Sequence, residues 1–134
     1  MLEEAQDLTA LDLVAAFDAQ NRITRSVGAF FCEHDLLVTP TMGQLPAPHG
    51  TLEQDSPDHT TRTWLVSLFD YGPFTAVFNI SGQPAISLPL AHSADGLPIG
   101  VQLIGRPNGE GPLLALAAQL ETANPWDGRR PPVS

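Results

Sequence analysis

Ser81, Ser87, four histidines and fifteen Asp or Glu residues supply the side-chain types of a nucleophilic hydrolase. Acyl transfer by serine needs a base within hydrogen-bond reach and donors aimed at the oxyanion, and such a serine usually sits on a tight strand-to-helix turn. Neither serine has that setting. Ser81 stands beside Gly82 as a turn residue, and Ser87 alternates within a strand-like run. Cys32-Glu33-His34-Asp35 and the stretch from Asp55 to His59 hold metal-ligand types but lack paired CxxC or HxxxH spacing, so solvated surface is the better reading. Asn79-Ile80-Ser81 has the form of a glycosylation acceptor, which is irrelevant in a cytoplasmic chain. Tyr71, Phe74 and Phe78 form an aromatic group that either lines a pocket or fills the core beneath a short helix.

The elements that must position these groups are legible from periodicity. Thr9 to about Glu33 reads as one long helix with Thr9 as N-cap and Asp12 as its capping-box partner. Leu13, Phe17, Ile23, Val27, Phe30 and Phe31 form its apolar stripe, with a gap at Gln20, and that stripe needs a partner. Leu36 to Thr39 is a buried strand stopped by Pro40. Residues 41–59 carry Pro, Gly, His and acids without a period and read as a long loop. Thr60 to Tyr71 is an amphipathic helix, and Phe74 to Asn79 a short helical turn. Pro84 to Leu90 places Ile86, Leu88 and Leu90 on one face; Ile99 to Gly105 places Ile99, Val101 and Leu103 on one face. Ser93 to Gly96 supplies turn chemistry between them, so a hairpin follows. Pro112 falls in the first turn of a last helix, which Asn124-Pro125 ends near Thr122.

At 134 residues the chain is of single-domain size, and its formal net charge of -9 argues against nucleic acid or an anionic membrane as partner. No run approaches the ~20 apolar residues of a spanning helix. Met1-Leu2-Glu3-Glu4 lacks the positive start of a signal peptide, and a cytoplasmic location is the expectation. Cys32 is the single cysteine, so no internal disulfide forms. No metal and no cofactor is expected.

Asn79, Gly82, Pro84-Ala85, Ser87-Leu88-Pro89 and the run GLPIGVQLIG from Gly96 to Gly105 resemble the C-terminal part of the amidase signature hydrolases. So do DLLVTPT from Asp35 to Thr41, the proline-rich stretch Pro46 to Pro48, and the leucine-rich helix before Pro125-Trp126. The likeness spans Thr9 to Pro131. It implies an α/β arrangement, a partial amidase-signature fold with a few strands in a mixed sheet covered by helices. One domain over 1–134 would carry the loop at 41–59 and a tail at 125–134.

Members of that family cleave amide carbon-nitrogen bonds with a serine nucleophile, a second serine held by a cis peptide, and a lysine that ends the proton relay. The family keeps these, and a glycine- and serine-rich oxyanion loop, in its N-terminal half. This sequence has no counterpart of them and no lysine at all: its basic residues are Arg22, Arg25, Arg62, Arg106, Arg129 and Arg130. A guanidinium stays protonated and cannot accept the proton. The resemblance therefore implies a truncated product, or one half of a split amidohydrolase whose other half supplies the machinery; the competing reading is a non-catalytic, self-associating remnant or binding domain. It also implies that Tyr71, Phe74, Phe78 and Asn79 lie beside a substrate channel, although core filling explains the aromatics equally well. Strands cut from a larger sheet leave open edges and uncovered apolar faces, so a homo-oligomer or a complex with a separately encoded N-terminal half is expected.

Overall fold

The computed structural model describes residues 4–129. Of the expected tail, residues 130–134 lie outside the described residues, as do Arg130 of the Arg129-Arg130 pair and the Met1-Leu2-Glu3 start. After a 3-10 turn at Glu4–Asp7 the elements are α1 (Ala10–Glu33), β1 (Leu36–Pro40), α2 (Thr61–Tyr71), α3 (Ala76–Ser81), β2 (Ala85–His92), β3 (Pro98–Gly105) and α4 (Glu110–Ala123).

Local chemistry sets most of these boundaries. The Thr9 amide donates to Asp12 Oδ2 at 2.8 Å and the Asp12 amide donates to Thr9 Oγ1 at 3.2 Å, which closes the capping box of α1. α2 uses Thr63 reciprocally with Thr60, so a hydroxyl replaces the usual carboxylate. α3 begins later and runs further than its sequence pattern indicates. Ser81 Oγ donates back to the Val77 carbonyl at 2.7 Å, and Gly82 ends the helix in the left-handed region at φ 79° with its amide on the Phe78 carbonyl. Between β2 and β3, the Ser93 amide donates to the Leu97 carbonyl at 2.9 Å, and Gly96 takes φ 80°. α4 starts at Glu110, and Pro112 still falls in the first turn, where a missing N–H costs nothing.

β1 ends at Pro40, paired with Val101, and β2 continues past Pro89 to His92, two residues beyond the end its sequence pattern indicates. Leu88 pairs with Val101 and Ala91 with Ile99, so Pro89 and Leu90 bulge opposite Gly100. A bulge is where a residue without an N–H can sit in a sheet.

The sheet order is β1-β3-β2, with both pairings antiparallel. The α/β arrangement is as expected, but the mixed sheet is corrected: the described strands form a purely antiparallel one. β1 and β2 do run the same way, yet the hairpin inserts β3 between them, so no parallel ladder forms. Alternation along β3 then feeds two cores. Leu103 joins Leu88, Leu113 and Ala117 beneath α4, with Ile86, Val101 and Trp126 at the margin. Ile104, fully buried, joins Phe31 and Phe78 beneath the end of α1 and α3, with Val27 and Leu37 at the margin. Each such side chain taken out of water contributes about 1.5–3 kcal/mol. α2 buries no residue, and Leu65, Val66, Leu68 and Phe69 on it stay exposed.

Candidate functional site

Tyr71 closes α2 and holds the front of the long loop. Its Oη accepts from the Ala47 amide at 3.0 Å and donates to the Leu45 carbonyl at 3.3 Å, while its own carbonyl accepts from the Gly43 amide at 2.9 Å. The loop so pinned faces the start of β3. Met42, Leu45, Pro46, Tyr71, Ile99 and Gly100 enclose a cavity of about 80 Å³ there. Complete ligand sites run to roughly 300–1,000 Å³. The cavity has room for a small group only.

Beside it the sheet surface is built for close approach. Thr41 Oγ1 and Ser87 Oγ share a hydrogen bond of 2.6 Å across Gly100, and the Thr41 amide donates to the Gly100 carbonyl at 2.9 Å. A Cβ on residue 100 would stand 2.7 Å from the Thr41 hydroxyl and 2.9 Å from that of Ser87. Only glycine leaves that bridge intact.

Gln102 is the positioning residue that sequence reasoning missed. At 5% exposure it lies in the sheet, and its Nε2 donates to the Phe74 carbonyl at 3.3 Å and to Thr39 Oγ1 at 3.4 Å. It ties the turn before α3 to β3 and β1. The signal was one amide side chain inside the apolar run PIGVQLIG.

The four residues expected beside a substrate channel do not converge. Tyr71 lines the small cavity. Phe74 is half-buried in the turn before α3, held through its carbonyl rather than its ring. Phe78 is 7% exposed and belongs to the core with Phe31 and Ile104. Asn79 faces solvent on α3.

The two serines are engaged with groups that are not bases. Ser81 Oγ contacts the Val77 carbonyl and the side-chain amide of Gln83; Ser87 is bonded to Thr41. Around Cys32 the candidate ligands disperse: the His34 ring lies 4.3 Å from that of Phe30, and Asp35 pairs with Arg106 at 2.8 Å. His59 meets the edge of Trp64 at 5.6 Å between ring centres. Among the described residues no three His, Cys, Asp or Glu side chains gather round a common point, and no helix is long and apolar enough to cross a membrane.

Comparison with known proteins agrees with the fold. The pattern that defines the amidase family matches residues 1–114. The chain is 36% identical to the 6-aminohexanoate-cyclic-dimer hydrolase of Paenarthrobacter ureafaciens, over 98% of its own length and 27% of that protein's. It superposes on a solved structure of a 6-aminohexanoate cyclic dimer hydrolase with a TM-score of 0.81 at 34% identity, covering 97% of this chain and 28% of that one. Against a Glutamyl-tRNA(Gln) amidotransferase component from Thermotoga maritima the TM-score is 0.67 at 30% identity, over 85% of this chain and 23% of that one. The chain thus spans about a quarter of the length of the relatives it matches. On the family match and this coverage, the chain belongs to the amidase family.

Proposed function

We propose that this chain is the C-terminal segment of an amidohydrolase that cleaves carboxylic amide carbon-nitrogen bonds, and that it hydrolyses no amide alone. The observation that carries this reading is the pairing of a family match over residues 1–114 with a sequence that holds no lysine and serines bonded to non-basic groups. The remaining portion of the enzyme would bring the nucleophilic serine, the second serine, the lysine and the oxyanion donors. This segment would bring a wall of the substrate site: Tyr71 with the pinned loop, and the Thr41–Ser87 bridge over Gly100. Phe78 belongs to the core and Asn79 to the exposed face of α3, so neither is assigned a place in that wall. A cytoplasmic setting belongs to the same reading, in keeping with Cys32 as an exposed, free thiol.

Incubation of the purified chain with a panel of aliphatic and aryl amides, including the cyclic dimer of 6-aminohexanoate named for its relative, tests the proposal. No turnover above the uncatalysed rate is expected. Turnover that disappears with Ser81→Ala or Ser87→Ala would contradict it.

A further inference from the structure

The chain holds four asparagines, and one of them stands where its side chain can react with its own backbone. Asn21 lies inside α1 and Asn79 inside α3, where the amide of the following residue belongs to a helix, and Asn124 is followed by Pro125, which has no N–H. Asn108 differs. It is exposed in the turn between β3 and α4, its backbone takes the left-handed region at φ 60°, and a glycine follows it. The turn itself calls for this pair. Asparagine is among the side chains that enter the left-handed region most readily, and a Cβ on residue 109 would stand 2.7 Å from the Arg106 carbonyl oxygen, so only glycine fits there. Among the described residues the Asn108 side-chain amide has no hydrogen-bond partner, and the Gly109 amide is held by one bond, to the Arg106 carbonyl at 2.9 Å.

We propose that Asn108–Gly109 is a modification site at which the folded chain deamidates itself, and that the isoaspartyl product loosens α4. When the bond to Arg106 opens, the Gly109 nitrogen gives its proton to hydroxide and attacks Asn108 Cγ. A Cγ–N bond forms, the Cγ–Nδ2 bond breaks, and the side-chain nitrogen takes a proton from water and leaves as ammonia, so hydroxide is regenerated and a succinimide ring remains. Glycine leaves the attacking nitrogen uncrowded. Water then opens the ring. Breaking the new Cγ–N bond gives aspartate on an ordinary backbone; breaking the original peptide bond gives an isoaspartyl linkage whose backbone runs through the side chain. The net change is one water consumed and one ammonia released. The two products act differently on the helix. Gly109 caps α4 without a side-chain bond, and a carboxylate at position 108 adjoins the positive end of that helix, two residues from Arg106, so the aspartyl turn is tolerated. The isoaspartyl linkage adds a methylene between β3 and α4, where a Cβ on Gly105 would lie 3.1 Å from Leu113 Cγ, and contact that close leaves no slack to absorb it.

The test is to incubate the full chain at mildly alkaline pH, in buffer and in urea, and to follow each asparagine by peptide mapping and mass spectrometry while ammonia release is measured. An isoaspartyl-specific carboxyl methyltransferase with a labelled methyl donor counts the isoaspartyl product. In buffer, conversion of amide to carboxylate is expected at position 108 at least tenfold faster than at Asn21 or Asn79, accompanied by ammonia and by methyl acceptance. Asn108→Gly, which suits φ 60° and lacks the reacting amide, should abolish all three signals. Asn108→Asp should melt with the unaltered chain, and the isoaspartyl fraction separated from aged protein should melt lower than both. Conversion confined to urea, equal rates at Asn108 and Asn79, ammonia release undiminished in Asn108→Gly, or an isoaspartyl fraction that melts with the fresh chain would each overturn the proposal.

Discussion

The two ends of α1 carry the same kind of sequence and meet different fates. Near its C-terminal end, Val27 and Phe31 lie on an apolar stripe and are covered by α3 and the sheet. Near its N-terminal end, Leu13 and Phe17 prolong that stripe into solvent. The capping box makes the first turn locally sound whether or not anything packs on it. Helix formation here follows from local chemistry. Burial depends on what the rest of the fold provides, and the same separation divides the hairpin with α4, which is well covered, from α2, which is not.

The largest expected effect lies on the covered side. Ile104→Ala empties a fully buried position between Phe31 and Phe78 and should cost about 2–5 kcal/mol in urea unfolding. Phe17→Ala, at the uncovered end, should stay within about 0.5 kcal/mol in the chain alone. Similar losses at both would erase the distinction between the two ends.

Next comes Gly100→Ala. The new methyl would fall 2.7 Å from the Thr41 hydroxyl, so the Thr41–Ser87 bridge must open, at a cost of about 1–3 kcal/mol. Thermal melts of Gly100→Ala alone and combined with Thr41→Ala check this: removing the hydroxyl that the new methyl meets should relieve part of the loss caused by the first substitution.

Gly82→Ala should be milder, about 1 kcal/mol, because nothing stands within 4 Å of the added Cβ and the cost comes from the left-handed backbone alone. An unchanged or raised melting temperature would show that the end of α3 tolerates a side chain.

The smallest effect concerns pH. Hydrogen bonds from the Thr9 hydroxyl, and then from the Thr9 amide, hold the Asp12 carboxyl below its ordinary value of 3.8. A carboxyl depressed in the folded state contributes stability that is present above the unfolded value and is lost as pH falls through the folded one. Asp12→Asn should therefore differ from the unaltered chain near neutral pH and converge with it in acid. A gap between the two melting curves that persists through strong acid would exclude the capping carboxylate as its source.

Much of this fold could be read from residue order because its signals are local. Thr9 with Asp12, Thr60 before α2, the alternation of Ile86 with Leu88, and the turn at Gly96 each fix structure within a few residues. The far end of β2 was not legible, because Pro89 is accommodated in a bulge that only pairing with β3 creates. The antiparallel order likewise follows from the insertion of β3 between β1 and β2, a nonlocal event. The site was less legible. Tyr71 lines a small cavity while Phe78 is core, since the same apolar ring serves either use and only the position of Ile104 and Phe31 settles which. Thr41, Ser87 and Gly100 lie far apart in sequence, and their convergence is a property of the register alone.

The central claim is that this segment supplies a wall of an amidase site while the reacting groups come from elsewhere. Its most direct test is amide turnover measured for the chain alone and for the chain combined with the portion of the Paenarthrobacter ureafaciens hydrolase outside their match. The account predicts no hydrolysis by either part separately and hydrolysis on combination, reduced by Gly100→Ala in this chain. Turnover by the chain alone that is abolished by Ser87→Ala would contradict it.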